Sequence, residues 1–167
     1  MYKGVFGRKD RLVREKRHDV YRVDKKLREP SACRECGAVF TDGRWSWGDP
    51  AETTTTTTCP SCQRIADNVP AGILKLSGSF LADHHSEIVG LIHNVEALEK
   101  GEHPLERIMA ITDVPGGLEI TTTGVHVARR IGDALGRSYQ GDLNFTYGDG
   151  EKSIKVSWSR DVVAAAR

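Results

Sequence analysis

From residue 70 onward, apolar and polar positions recur with periods that predict the elements. Ile73-Leu74-Lys75-Leu76-Ser77 reads as a strand interrupted near Gly78. Ile88, Leu91, Ile92, Val95 and Leu98 then fall at helical spacing. They predict a helix capped by Asp83, running through Lys100 and stopped by Gly101 and Pro104. Arg107–Thr112 is a second strand, and Pro115-Gly116-Gly117 is a turn. Leu118–Thr123 alternates as a third strand, with β-branched residues that favour that state. Thr123 is placed to cap a second helix, whose buried stripe is Val127, Ile131, Ala134 and Leu135 and whose end lies near Gly136. Leu143–Tyr147 is a fourth strand. Gly148-Asp149-Gly150 turns the chain into a fifth, Ile154–Trp158. The order is βαββαβ with an extra hairpin strand. This predicts an α+β fold, with helices on one face of an antiparallel sheet in a ferredoxin-like or split-βαβ manner.

The first 69 residues lack such periods. Residues 1–30 hold few large apolar side chains. Their spacing allows a short helix near 9–17 that burial alone would not hold, so a partner is expected to order this arm. Pro30 ends it. Residues 31–68 form a glycine-rich cysteine module, 69–160 the α+β domain and 161–167 a tail. Within the module, the run Thr53–Thr58 has no helical period and reads as a solvated loop or an extended edge. No apolar run approaches the roughly 20 residues of a membrane span. The charged N-terminus lacks the apolar stretch of a signal peptide, so a cytoplasmic protein is expected.

The module carries the strongest chemistry. Cys33-Arg-Glu-Cys36 and Cys59-Pro-Ser-Cys62 are two C-x-x-C pairs with 22 residues between them. A reducing compartment disfavours disulfides, so paired cysteines point to metal. Two intervening residues let both sulfurs of a pair reach one ion across a tight knuckle, and Gly37 supplies a permissive backbone just after the first. Four thiolates at about 2.3 Å complete a tetrahedral shell and leave no position for a substrate. One structural Zn2+ in a zinc ribbon is the expectation. A redox C-x-x-C would not need the second pair, and iron–sulfur sites usually cluster their cysteines differently.

Charge adds a partner. Residues 1–28 carry eleven Lys and Arg against four acids, a net +7, so the remaining 139 residues sum to −6. A basic arm on an acidic body suits a polyanion, although a solvated tail has the same composition. The candidate RNA contacts in the arm are Lys3, Arg8, Lys9, Arg11, Arg14, Lys16, Arg17, Arg22, Lys25, Lys26 and Arg28. On the folded part they are Arg34, Arg44, Trp45, Arg64, Arg129 and Arg130. Trp45 and Trp47 beside Arg44 could stack on bases or pack against the ribbon or the neighbouring domain. Phe145, Tyr147 and Trp158 offer the same choice between base stacking and core packing.

Two stretches carry a family resemblance. One is Cys59-Pro-Ser-Cys62-Gln-Arg64 with Pro70-Ala71-Gly72, a strand and a helix. The other is Gly117–Leu135, with His126-Val-Ala128-Arg129-Arg130 at its centre. Over about residues 31–160 the chain resembles the N-terminal region of the large-ribosomal-subunit export adaptors, the NMD-three family, in a short bacterial form. The best-known members have cysteines enough for two zinc sites and continue into further domains. This chain has four cysteines and lacks those domains, so the export role does not carry over. The resemblance implies binding to the large subunit, its rRNA and proteins, on the intersubunit face, as a hibernation factor that silences ribosomes under stress or as a maturation factor. A zinc-ribbon adaptor for transcription or another protein is the alternative.

No nucleophile–base pair, phosphate loop or open metal site is visible, so catalysis and a small-molecule substrate are not expected. Asp83-His84-His85 with Glu87 could hold a second metal. However, adjacent histidines diverge by about 100° on a helix, which favours capping and solvent exposure.

Overall fold

The computed structural model describes residues 27–51 and 54–163 as a mixed α+β chain with two sheets and four α-helices. The expected helix near 9–17 lies outside the described residues. Among the described residues, no helix is long and apolar enough to cross a membrane.

The first sheet belongs to the cysteine module. Its strands are β1 (Ser31–Cys33), β2 (Val39–Thr41), β3 (Arg44–Ser46) and β4 (Thr55–Thr57), in the order β3-β2-β1-β4. Asp42 and Gly43 take positive φ at the β2–β3 turn, and both donate their backbone N–H to the Glu29 carboxylate at 3.0 Å. The threonine run supplies an edge strand. β4 pairs in parallel with β1, setting Cys33 opposite Thr57. Helix α1 (Pro60–Asp67) follows and was not anticipated from the sequence. Its signals are a side-chain cap at Cys59, proline in the first turn and Asn68 in the left-handed C-cap position.

The second sheet contains β5 (Gly72–Ser77), β6 (Ile108–Val114), β7 (Gly117–Thr122), β8 (Asp142–Gly148) and β9 (Ser153–Ser159). Helices α2 (Ser79–Asp83) and α3 (His85–Glu102) connect β5 to β6, and α4 (Val125–Tyr139) connects β7 to β8. The strand order is β6-β7-β5-β9-β8. The sheet is not wholly antiparallel as expected, because the extra strand β9 enters the middle and pairs in parallel with β5. Its alternation puts Ile154, Val156 and Trp158 on the helix-covered face beside Leu74, Leu76, Leu118 and Ile120. Ile88 and Ile92 of α3 and Val127, Ile131 and Leu135 of α4 close this core. Each such side chain contributes roughly 1.5–3 kcal/mol on burial. Trp158 is fully buried and donates its indole N–H to the Gln140 carbonyl, so core packing accounts for it. Lys75, Lys155 and Ser157 face out on the uncovered side.

Several local expectations are corrected. Asp83 ends α2 rather than capping a long helix. The break falls at His84 (φ −122°, ψ 25°), whose ring stacks on Phe80 at 4.0 Å. Leu98 is 76% exposed, while the adjacent Glu99 is 5% exposed. The cause is tertiary, because Arg130 of α4 pairs with Glu99 across the helix interface. Helix α4 runs to Tyr139, past Gly136. Gly124, not Thr123, occupies its N-cap position.

Candidate metal centre

Both cysteine pairs lie at element ends, where backbone N–H groups are free to turn toward sulfur. Cys33 closes β1, and the chain reverses behind it. The Gly37 N–H donates to the Cys33 carbonyl at 3.0 Å, and the Cys33 N–H donates to the Ala38 carbonyl at 2.8 Å. Gly37 takes φ +80°, a conformation that costs glycine little. Cys59 is the N-cap of α1, and its Sγ accepts the Cys62 N–H at 3.4 Å. The Cys59 N–H in turn donates to the Cys33 Sγ at 3.3 Å. The four sulfurs all lie within 4.8 Å of one another, and Cys36 and Cys59 are 3.8 Å apart. A tetrahedron of metal–sulfur bonds of about 2.3 Å has edges of about 3.8 Å. Donor type, number and spacing therefore fit one metal ion with a complete sulfur shell. Cys33, Cys59 and Cys62 are buried and Cys36 is half-buried, and none is in a disulfide.

Arg107 is the residue that sequence reasoning missed. It is 8% exposed, and its Nη2 donates to the Cys59 Sγ at 3.3 Å and to the Cys62 Sγ at 3.4 Å. Thr123, expected as a helix cap, instead clamps the backbone that aims this arginine. Its Oγ1 accepts the Arg107 N–H at 2.9 Å and donates to the Leu105 carbonyl at 2.6 Å. Ser61 in the first turn of α1 donates to the same carbonyl. The Trp47 indole donates to the Lys100 carbonyl at 2.6 Å. The cysteine module is thus fastened to the second sheet and to α3 at separate points.

The electrostatics explain the arginine. Burial alone pushes all three buried thiols up. At Cys33, N–H groups from Cys59, Cys36 and Glu35 outweigh burial and lower its pKa to about 6. At Cys59 and Cys62 burial wins and the thiols are raised, although Arg107 pulls Cys62 back. Nearby positive charge favours ionising Cys59 and Cys62; the guanidinium supplies some of it, and a divalent ion held by the four sulfurs would supply more. An ion bound by all four sulfurs would have a complete tetrahedral shell.

The other candidate residues are dispersed. Lys3, Arg8, Lys9, Arg11, Arg14, Lys16, Arg17, Arg22, Lys25 and Lys26 lie outside the described residues. Arg28, Arg34 and Arg44 are exposed. Arg64 on α1 donates to the Val69 carbonyl at 3.2 Å. Trp45 is half-buried, with its ring centroid 5.4 Å from that of Phe40, and packs against the cysteine cluster. It shares a cleft with Arg130. Arg129 and Arg130 are exposed on α4. Among the described residues the histidines form no second candidate metal cluster. His84 faces Glu87 at 3.3 Å, His85 faces Asp113 at 3.1 Å, and among the described residues only the four cysteines converge.

The same cleft holds Glu106, whose carboxylate accepts the Val127 N–H at 3.1 Å and so caps α4 from outside the helix. A Cβ on Gly124 would collide with that carboxylate. Glu106→Ala should cost about 1 kcal/mol through the lost cap. Burial raises the Glu106 carboxyl above its ordinary 4.5, against the pull of the Val127 N–H. For a raised carboxyl, folding stability is complete below the ordinary value and declines as pH climbs through the folded one. Glu106→Gln keeps an acceptor for Val127 without the charge. Its stability relative to wild type, from denaturant melts between pH 5 and pH 8, should therefore improve steadily with pH. A constant difference would show that ionisation of Glu106 is not opposed by the fold.

No protein-family profile matches the chain, and no curated protein matches it.

Proposed function

We propose that this chain is a cytoplasmic, ribosome-associated zinc protein. In this reading it binds the large subunit on its intersubunit face and silences ribosomes under stress. The metal is zinc, the expected occupant of a four-cysteine structural site. The 31–68 module is a zinc ribbon, and the second sheet is a split-βαβ, ferredoxin-like arrangement with β9 inserted.

The observation that carries the reading is the closed sulfur cluster joined to basic segments. A saturated shell argues for a scaffold rather than a catalyst. Residues 1–28 before it hold a net +7, the kind of cationic segment that neutralises rRNA phosphates without reading sequence. The resemblance of residues 31–160 to the large-subunit export adaptors supplies the choice of subunit. A binder of the intersubunit face blocks subunit joining, which is a simple route to silencing.

Sucrose-gradient fractionation of cells carrying the tagged protein tests this. The protein should sediment with 50S and 70S particles, more so in starvation than in growth. Absence from those fractions in both states overturns the reading. Confinement to immature 50S precursors would assign it to maturation instead, and RNase-resistant co-purification with a polymerase would make it an adaptor.

A further inference from the structure

The outward face of α4 concentrates positive charge on an otherwise acidic body. His126, Arg129, Arg130 and Arg137 are exposed and recur at helical spacing, with Asp133 as the one acid among them. Two adjoining clefts of about 470 and 630 Å3 share His126 and Arg130 as a common wall. Residues 29–167 carry a net −6, so this helix runs against the field of its surroundings.

Two of the arginines, Arg129 and Arg130, are also held in place. Arg129 Nη1 donates to the Tyr147 hydroxyl at 2.6 Å, its guanidinium lies 5.4 Å from the Phe145 ring centroid, and its Nε is 3.9 Å from Asp133. Arg130 Nε pairs with the buried Glu99. These contacts engage Nε and Nη1 of Arg129 and Nε of Arg130, and leave further N–H donors on Arg129 Nη2 and on both Nη groups of Arg130. Arg137 has no partner among the described residues. Side chains ordered before binding lose less freedom when they dock, and a guanidinium suits the paired oxygens of a phosphate. From Arg129 to Arg137 the helix spans about 12 Å, enough to follow a backbone beyond one phosphate. Phe145 and Tyr147 are occupied with Arg129, so this face offers charge rather than stacking.

We propose that the outward face of α4 is a docking surface for the phosphate backbone of structured RNA. Arg129, Arg130 and Arg137 are the phosphate contacts, and Arg34 and Arg44 lie outside the interface. The proposal rests on the large-subunit reading and names the folded surface that would complement the basic arm.

The test measures affinity of the labelled full chain for purified large subunits across a salt series. In Arg129→Ala and Arg137→Ala chains, binding should weaken several-fold and the slope of log K against log salt should fall by about one each. Arg34→Ala and Arg44→Ala should leave the slope unchanged. Arg137→Ala removes no hydrogen bond or ion pair among the described residues, so a matched thermal melt separates its effect from misfolding. If wild type binds and the slope survives in both α4 variants, the surface is wrong while the large-subunit reading stands. Salt-insensitive, RNase-resistant binding points to a protein partner and overturns the surface equally. A wild-type chain that binds no subunit at any salt overturns the functional reading along with the surface.

Discussion

Replacing Cys59 with serine should strip the protein of its metal and unfold residues 31–67. Cys59 is fully buried and central to the cluster, with its sulfur 3.8 Å from Cys36 and facing Cys62 and Arg107. A serine hydroxyl is shorter and does not ionise near neutral pH, so it cannot replace a thiolate. Serine is, however, a good helix N-cap. The substitution therefore spares the local cap of α1 while removing the ligand, and the damage reports on metal. Structural zinc contributes apparent binding free energies of about 10–16 kcal/mol at pH 7, and in small modules that energy is folding energy. Elemental analysis should fall from one equivalent per chain to almost none after dialysis against a mild chelator. Amide signals from 31–67 should collapse in the same sample. Full metal content with an unchanged spectrum would show that three thiolates suffice and that the site is overbuilt.

Arg107→Met should also be damaging, though less than loss of the metal, and Arg107 lies far from every cysteine in the sequence. It leaves two buried sulfurs without their cationic donor and loosens the join between the module and β6. Removing one partner of a buried charged pair costs about 3–5 kcal/mol. For a chain of this size that corresponds to a fall in Tm of roughly 6–20 °C. Metal should still bind, but transfer to a chromogenic chelator should be faster than in wild type. Arg107→Lys keeps the charge but lacks the planar fork, so it should fall between the two. A wild-type melt together with a wild-type transfer rate in the methionine variant would reduce Arg107 to a bystander.

How much of this was legible depended on the range of the interaction. The strands announced themselves, because Leu74/Leu76, Leu118/Ile120 and Ile154/Val156/Trp158 alternate and alternation is local. The cysteine cluster was legible because C-x-x-C spacing encodes the metal's geometry within four residues. Arg107 was not, since it lies 45 residues from Cys62 and no local pattern marks a guanidinium aimed at sulfur. The cap of α4 failed for the same reason. Thr123 was the best local candidate, yet Glu106 reaches the helix from another loop, and Thr123 is drawn away to hold Arg107. Leu98 and Glu99 exchanged their expected roles because Arg130, on a different helix, rewards burial of a carboxylate. The partner of β9 was equally invisible, since a hairpin strand carries no sign that it will enter the middle of a sheet.

That placement has a consequence during synthesis. β9 is the last strand of the sheet to be made, yet it lies between β5 and β8 and supplies Trp158, the largest fully buried side chain. A nascent chain that has already emerged through α4 can assemble its sulfur cluster and the β6–β7 hairpin. It must still hold Leu74 and Leu76 beside an open slot. Pairing β5 with β9 joins residues about eighty positions apart, the kind of long-range contact that slows folding. The sheet should therefore reach its native state only after β9 has emerged, with chaperone demand concentrated in the interval when the central groove is exposed. A truncation before Ser153 should accumulate as a metal-loaded, aggregation-prone species rather than as a smaller folded domain.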